Sequence, residues 1–168
     1  MARAAIVCAA AAFLIAGDGS AGLKALMVLP PALAGRYVRV SPGFDLMFAV
    51  ALMAEVVATS LGAYDSISWG DGLSHVVLPL LSGPILYAGV VCVRGSVDSL
   101  LASALVTALA VLTLGAIWEL VEWLVDAAFG TDFSQGYDDT FDDLRNNAIA
   151  AVGSGGLVAA SLRWRGRV

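Results

Sequence analysis

Apolar stretches that are long enough to cross a lipid bilayer make up most of this chain. One helical crossing needs about 20 consecutive apolar residues, and of the 168 residues 60% are hydrophobic and 14% are charged. Because soluble domains carry about 25% charged residues, the sequence predicts an all-α, polytopic membrane helix bundle. We expect a single integral membrane domain over residues 1–168, with five to six transmembrane helices. The predicted helices are residues 4–17, 21–35, 44–64, 72–93, 97–129 and 140–162.

The first predicted helix has two interpretations. Residues 4–17 follow Arg3 and end at a glycine-rich turn, which leaves the stretch short for a full crossing. A positive residue, an apolar core and small residues after it also fit a cleaved signal peptide. We favour a helical hairpin in which residues 21–35 form the second arm, bent at its end by Pro30 and Pro31.

Basic residues predict the orientation of the bundle, because cytoplasmic loops carry an excess of Lys and Arg. In a six-helix count most of them fall on one side, at both termini and at the second and fourth connections. These residues are Arg3, Arg36, Arg39, Arg94, Arg163, Arg165 and Arg167. Lys24, near the first connection, and Arg145 fall towards the other side. The sequence therefore predicts a multi-pass protein of the cell membrane with both termini in the cytoplasm.

Acidic residues and the single histidine interrupt the apolar helices near three helix ends. Ionisable groups in membrane helices are costly and indicate a functional site by default. In the predicted orientation all three ends lie in the extracytoplasmic half, and positions three or four apart share a helical face. The candidate metal ligands are Asp71, His75, Glu119, Glu122, Asp126, Asp138 and Asp142. The candidate supporting residues are Glu55, Asp65, Asp139, Asp143, Arg145 and Asn146.

The chemistry of these side chains favours a divalent metal ion. Carboxylates with one imidazole suit Mg, Mn, Fe or Zn, and a cation relieves the repulsion between neighbouring acids. We therefore expect a divalent ion as the cofactor, and the lipid bilayer as a partner, with a lipid or an ion as the ligand. Cys8 and Cys92 lie far apart and indicate neither a disulfide framework nor a zinc knuckle. No basic run has the aromatic interleaving of a nucleic-acid surface, which excludes that partner.

Two other interpretations of the acids remain open. Asp71, Asp138 and Asp139 could simply cap helix starts, where negative charge is favoured. Alternatively, Arg145 could neutralise an acid within an internal ion-pair network, since buried charges are normally paired. Capping does not explain the two glutamates of residues 97–129, because negative charge is disfavoured near a helix C-terminus.

Several classes of function are compatible with such a site. The first is a membrane protein of unknown activity that binds a cation on its extracytoplasmic side. The second is a metal-dependent hydrolase or transferase that acts on a lipid-phosphate headgroup. The third is a cation or proton transporter that uses Glu55, His75, Glu119 and Glu122, although no inverted repeat is evident. The fourth is a non-catalytic structural or partner-binding protein. The sequence leaves the choice among them open.

Three ordered motifs resemble a known family. Residues 64–75 resemble the family's YD...WxDxLxH signature, residues 114–123 its GAxWELxEW helix, and residues 137–144 its DTxxDL segment. The family is the YjdF-type group of uncharacterised bacterial and archaeal membrane proteins, and the resemblance covers about residues 65–156. Val76 and the loop at 130–136 depart from forms common in the group. The resemblance implies a small helical membrane protein and supplies no activity.

Overall fold

The described part of the chain is helical throughout its regular elements. The computed structural model describes residues 7–8, 11–13, 15–17, 19–35, 37–38, 40–67, 69–164 and 166, without the side chain of Asp65. The helices are α1 (Gly19–Ala34), α2 (Pro42–Ser60), α3 (Ala63–Ser66), α4 (Gly70–Arg94), α5 (Leu100–Phe129) and α6 (Tyr137–Trp164). The predicted all-α helical bundle is confirmed.

The helix ends follow the predicted ones closely, with one exception. The ends of α1, α4, α5 and α6 all lie within three residues of the predicted ends. The predicted helix at 44–64 is instead divided into α2 and α3, because Gly62 adopts a left-handed conformation with φ 61°. The predicted helix at 4–17 lies partly outside the described residues, so the choice between a helical hairpin and a signal peptide stays open.

Three helices are long and apolar enough to cross a membrane, by length and composition: α2, α4 and α5. Helix α1 is apolar but shorter. Helix α6 is not among these three; its first turns carry four aspartates, and its second half is rich in small residues. Exposed leucines such as Leu101, Leu105 and Leu109 on α5 suit contact with lipid. A total of five to six crossings stays a prediction.

The basic residues used for orientation lie largely outside the described part of the chain. Arg94 and Arg163 are exposed in the last turns of α4 and α6. Arg3, Arg36, Arg39, Arg165 and Arg167 lie outside the described residues. Lys24 was predicted near a connection, but it lies inside α1 and is buried. It therefore carries no weight in the loop-charge comparison, and the cytoplasmic position of both termini stays a prediction.

The chain divides into two compact units, Met1–Ser74 and His75–Val168, and the single-domain prediction stays a prediction. In the first unit α1 packs against α2. Helix α1 buries small residues, including Ala21, Ala25 and Ala32, whereas α2 buries the larger Phe48 and Leu52. Small side chains on one helix leave room for large ones on the other, which is how helices reach close packing. Ser41 caps the start of α2 by accepting a hydrogen bond from the backbone of Phe44 at 3.4 Å.

In the second unit α5 and α6 pack along two rows of buried residues that are spaced four apart. The α5 row is Ser103, Thr107, Val111, Gly115 and Glu119, and the α6 row is Asp143, Asn147, Ala151 and Gly155. Residues four apart lie on one helical face, so each row is the packing face of its helix. Two hydrogen bonds add connections. Trp123 Nε1 donates to Thr140 Oγ1 at 3.0 Å, and Ser154 Oγ donates to the carbonyl of Leu80 on α4 at 3.1 Å.

Gly155 tests how closely α5 and α6 approach. A Cβ atom at Gly155 would lie 2.5 Å from the carbonyl oxygen of Ala104, a backbone atom that cannot rotate away. We expect Gly155→Val to lower the free energy of unfolding by about 1–3 kcal/mol, because the helices must separate. Thermal unfolding in detergent, followed by circular dichroism, measures this. The control is Gly156→Val at an exposed position with nothing within 4 Å; equal losses for the two variants would contradict the expectation.

Candidate functional site

Among its described residues, the second unit contains a buried group of ionisable side chains. His75 Nδ1 lies 3.5 Å from Glu119 Oε1, and His75 Nε2 lies 3.4 Å from Asp143 Oδ2. Glu122 completes the group, because ligand atoms of His75, Glu119 and Glu122 all lie within 4.8 Å of one another. The exposed fractions are 7% for His75, 4% for Glu119, 2% for Glu122 and 3% for Asp143. We refer to these four residues as the His75 cluster.

The helical connections explain why these residues meet. The two glutamates lie three positions apart near the end of α5, so they share a face. Gly130 ends α5 in a left-handed conformation with φ 68°, which is a common way to terminate a helix. After the loop at 130–136, α6 begins, and Asp143 lies in its second turn. The late part of α5 is therefore next to the early part of α6, and His75 contributes from the early part of α4.

Asn147 adds an amide to the same interface. It lies one helical turn after Asp143 and is 1% exposed, and neither Nδ2 nor Oδ1 has a hydrogen-bond partner among the described residues. A Cβ atom at Gly115 would lie 2.8 Å from this Nδ2. Gly115 is itself one turn before Glu119. The Asn147 amide therefore occupies space that Gly115 leaves open. It lies in the α6 row, one helical turn after Asp143 of the His75 cluster.

Asp126 was a candidate metal ligand, but its carboxylate organises the loop that follows α5. It accepts hydrogen bonds from Thr131 Oγ1 at 2.6 Å, the Phe133 N–H at 2.8 Å and the Ser134 N–H at 2.9 Å. Three donors from one loop hold both carboxylate oxygens. Asp126 is thus a loop-ordering residue and is not part of the His75 cluster.

The first turns of α6 carry the other acidic candidates. Asp138 and Asp142 are exposed, and Asp142 pairs with Arg145 at 2.8 Å, their side chains being 57% and 59% exposed. Asp139 is half-buried in the first turn. Asp138 and Asp142 therefore lie on the outer face of α6, and Arg145 forms a surface pair there. Neighbouring positions point in different directions on a helix, which is why Asp143 reaches the His75 cluster and Asp142 does not.

The remaining candidates belong to the first unit. Asp71 is in the first turn of α4, where negative charge is favoured, and the side chain of Asp65 lies outside the described residues. Glu55 is buried and pairs with Lys24, Nζ to Oε1, at 3.2 Å. The Tyr64 hydroxyl donates a hydrogen bond to the second oxygen of Glu55. Burial and the Glu55 carboxylate raise the pKa of the Tyr64 phenol well above its usual range, so this donor stays protonated.

Two buried polar residues of α6 had a lesser place in the sequence-based set: Asp143 was named as a supporting residue, and Asn146 was named there but Asn147 was not. Asn146 is half-buried, whereas Asn147 is fully enclosed. A signal for the correct face is present in the sequence. Asp143 and Asn147 are spaced four residues apart in line with the small residues Ala151 and Gly155, so all four share one helical face.

Comparison with known proteins identifies a family. A family model described as "Predicted membrane protein (DUF2238)" matches residues 4–165. No curated protein and no solved structure matches the chain. The matched range covers nearly the whole sequence, including the His75 cluster, and it agrees with the resemblance to the YjdF-type group.

Proposed function

The chain belongs to the DUF2238 family of predicted membrane proteins, and we propose that it binds a divalent cation through the His75 cluster. The observation that supports this most strongly is the convergence of three buried carboxylates on one buried imidazole. Ionisable side chains in apolar helices indicate function by default, because burying them is costly.

The donor atoms of the cluster fit a metal ion. Carboxylate oxygens and one imidazole nitrogen are ligands for Mg, Mn, Fe or Zn. Carboxylates that share a buried site repel one another when ionised, and a divalent cation offsets this repulsion. Each ring nitrogen of His75 faces a carboxylate. One nitrogen can therefore serve as a ligand while the carboxylate beside the other orients the ring, which is the usual arrangement of a metal-binding histidine.

In the predicted orientation the proposed cation site lies in the extracytoplasmic half of the membrane. With both termini in the cytoplasm, the ends of α4, α5 and α6 that carry the His75 cluster would lie in the extracytoplasmic half of a cell membrane. The cation would then enter from outside the cell. In this proposal the protein is a multi-pass membrane protein whose bound ion is supplied by the extracellular or periplasmic medium.

The metal content of the purified protein tests the proposal. We expect the wild-type chain in detergent to carry a stoichiometric divalent metal, measured by elemental mass spectrometry. The double variant Glu119→Gln/Glu122→Gln is expected to lose it, because two of the three carboxylates of the cluster become neutral.

The matched control removes two acids from the outer face of α6. Asp138→Asn/Asp142→Asn changes the net charge by the same amount, but at exposed positions, and is expected to keep the metal. A wild-type protein without metal after reloading with divalent ions would disprove the proposal, as would equal retention in both double variants. A bound metal would make lipid-phosphate chemistry and cation transport the next activities to assay.

A further inference from the structure

We infer that Asn147 belongs to the cation site and that the site takes a hard, oxygen-preferring cation of the Mn²⁺ and Mg²⁺ class. This inference rests on the proposed function and specifies its ligand. It starts from an observation that is independent of the acidic residues, the enclosed amide of Asn147.

An enclosed amide without a partner requires explanation. A carboxamide offers two N–H donors and one carbonyl acceptor, and buried side chains of this kind almost always form hydrogen bonds in native proteins. Neither polar atom of Asn147 has such a bond among the described residues, although the residue is 1% exposed. The next buried positions of this face are apolar, Ala150 and Ala151. Packing alone would be served by another alanine, so a polar ligand is the consistent reason for the amide.

The position of Asn147 connects it to the His75 cluster. One helical turn, about 6 Å along the axis, separates it from Asp143. On the facing helix Gly115 lies beside the amide, and one turn further comes Glu119. Any side chain at Gly115 would overlap the amide group. The two rows therefore carry, in adjacent turns, first Gly115 beside the Asn147 amide and then Glu119 and Asp143, each beside a ring nitrogen of His75.

The combined donors indicate the class of cation. With Asn147 the site offers oxygens from Glu119, Glu122 and one amide, together with one imidazole nitrogen, while Asp143 beside the other ring nitrogen orients the ring. Oxygen-rich sets suit Mg, Ca and Mn, whereas thiolates select softer metals, and both cysteines are exposed elsewhere. Six-coordinate Mn²⁺ accepts such a set, whereas Zn²⁺ is usually held by four ligands, often of nitrogen or sulfur. The imidazole favours Mn²⁺ over Mg²⁺ as the experimental probe.

Binding of Mn²⁺ to the full chain in detergent, followed by the loss of the free-ion electron paramagnetic resonance signal, tests this inference. We expect Asn147→Leu to weaken Mn²⁺ binding by about tenfold or more, and to weaken Zn²⁺ binding by a smaller factor. Asn147→Asp keeps the shape of the side chain and adds a charge, so Mn²⁺ binding should strengthen several-fold. Asn146→Leu and Asn146→Asp at the half-buried neighbouring position are the controls and should change binding little.

The outcomes separate this inference from the proposed function. A wild type that binds no divalent ion would overturn both. If the wild type binds Mn²⁺ and folded Asn147→Leu or Asn147→Asp binds it with the same affinity, only the role of Asn147 would be overturned. Equal effects of Asn147→Asp and Asn146→Asp would show general electrostatic attraction and would also overturn it. If Asn147→Leu does not fold, the isosteric Asn147→Asp still decides, with helix content by circular dichroism as the folding check.

Discussion

Asp143→Asn is expected to weaken divalent-cation binding by about 10- to 100-fold, whereas Asp142→Asn leaves it nearly unchanged. Groups that orient a metal ligand change affinity by about 10- to 100-fold, and the Asp143 carboxylate lies 3.4 Å from Nε2 of His75 within the buried cluster. Asp142 is its neighbour in sequence, but it is exposed and pairs with Arg145. The two variants remove the same charge from the same helical turn, so only the direction of the side chain differs.

Titration of the two variants with Mn²⁺ gives the comparison directly. Wild type, Asp142→Asn and Asp143→Asn are prepared in the same detergent, and circular dichroism confirms equal helix content before the titration. A similar loss of affinity in both variants would mean that binding depends on the total acidic charge of α6. No loss in Asp143→Asn would remove this residue from the site.

Lys24→Met is expected to lower the free energy of unfolding by about 3–5 kcal/mol, because it leaves the Glu55 carboxylate buried without its cation. Both side chains of the pair are buried, and their charged atoms lie 3.2 Å apart. The Tyr64 hydroxyl bonds to the other oxygen of Glu55, but one neutral donor does not replace an ammonium group. Chemical or thermal unfolding in detergent, followed by circular dichroism, measures the loss.

A second variant separates the charge from the packing. In Lys24→Met/Glu55→Gln the buried charge is absent, so most of the lost stability should return. Replacing both members of a buried pair is often neutral, whereas removing one is strongly destabilising. Lys24→Met that unfolds like the wild type would show that the pair is not important for stability. A double variant as unstable as the single one would assign the effect to packing of the Lys24 side chain.

The helices of this protein were predictable because their signals are local. Ser99 precedes the apolar run of α5 and starts the helix by accepting a hydrogen bond from the Ala102 N–H. Gly130 follows the run and ends the helix in a left-handed conformation. A continuous apolar run with few charges indicates a membrane span by length alone. The division of residues 44–64 into α2 and α3 was not predicted, because a single glycine such as Gly62 in an apolar run is a weak signal for a turn.

The sequence singled out the acidic and histidine residues as a candidate site, but it did not predict which of them lie together. His75, Glu119 and Glu122 stand out because they are ionisable and lie in apolar helices. In the first turns of α6, however, carboxylates occupy adjacent positions, so polarity does not distinguish the inner face from the outer one. The sequence therefore placed Asp142 among the candidate ligands and Asp143 among the supporting residues, whereas in the structure Asp143 is the one beside His75. For Glu55, the sequence did not identify Lys24 as the partner, because the two lie on different helices.

The sequence by itself determined the class of protein, the limits of most helices and the set of ionisable residues, because apolar run length, capping residues and charge are local properties. Only the tertiary structure decided which of those residues meet. The choice of Asp143 over Asp142, and of Asn147 over Asn146, depends on the rotation of α6 against α5. That rotation is set by contacts such as Gly115 with Asn147 and Gly155 with Ala104, which join residues distant in sequence.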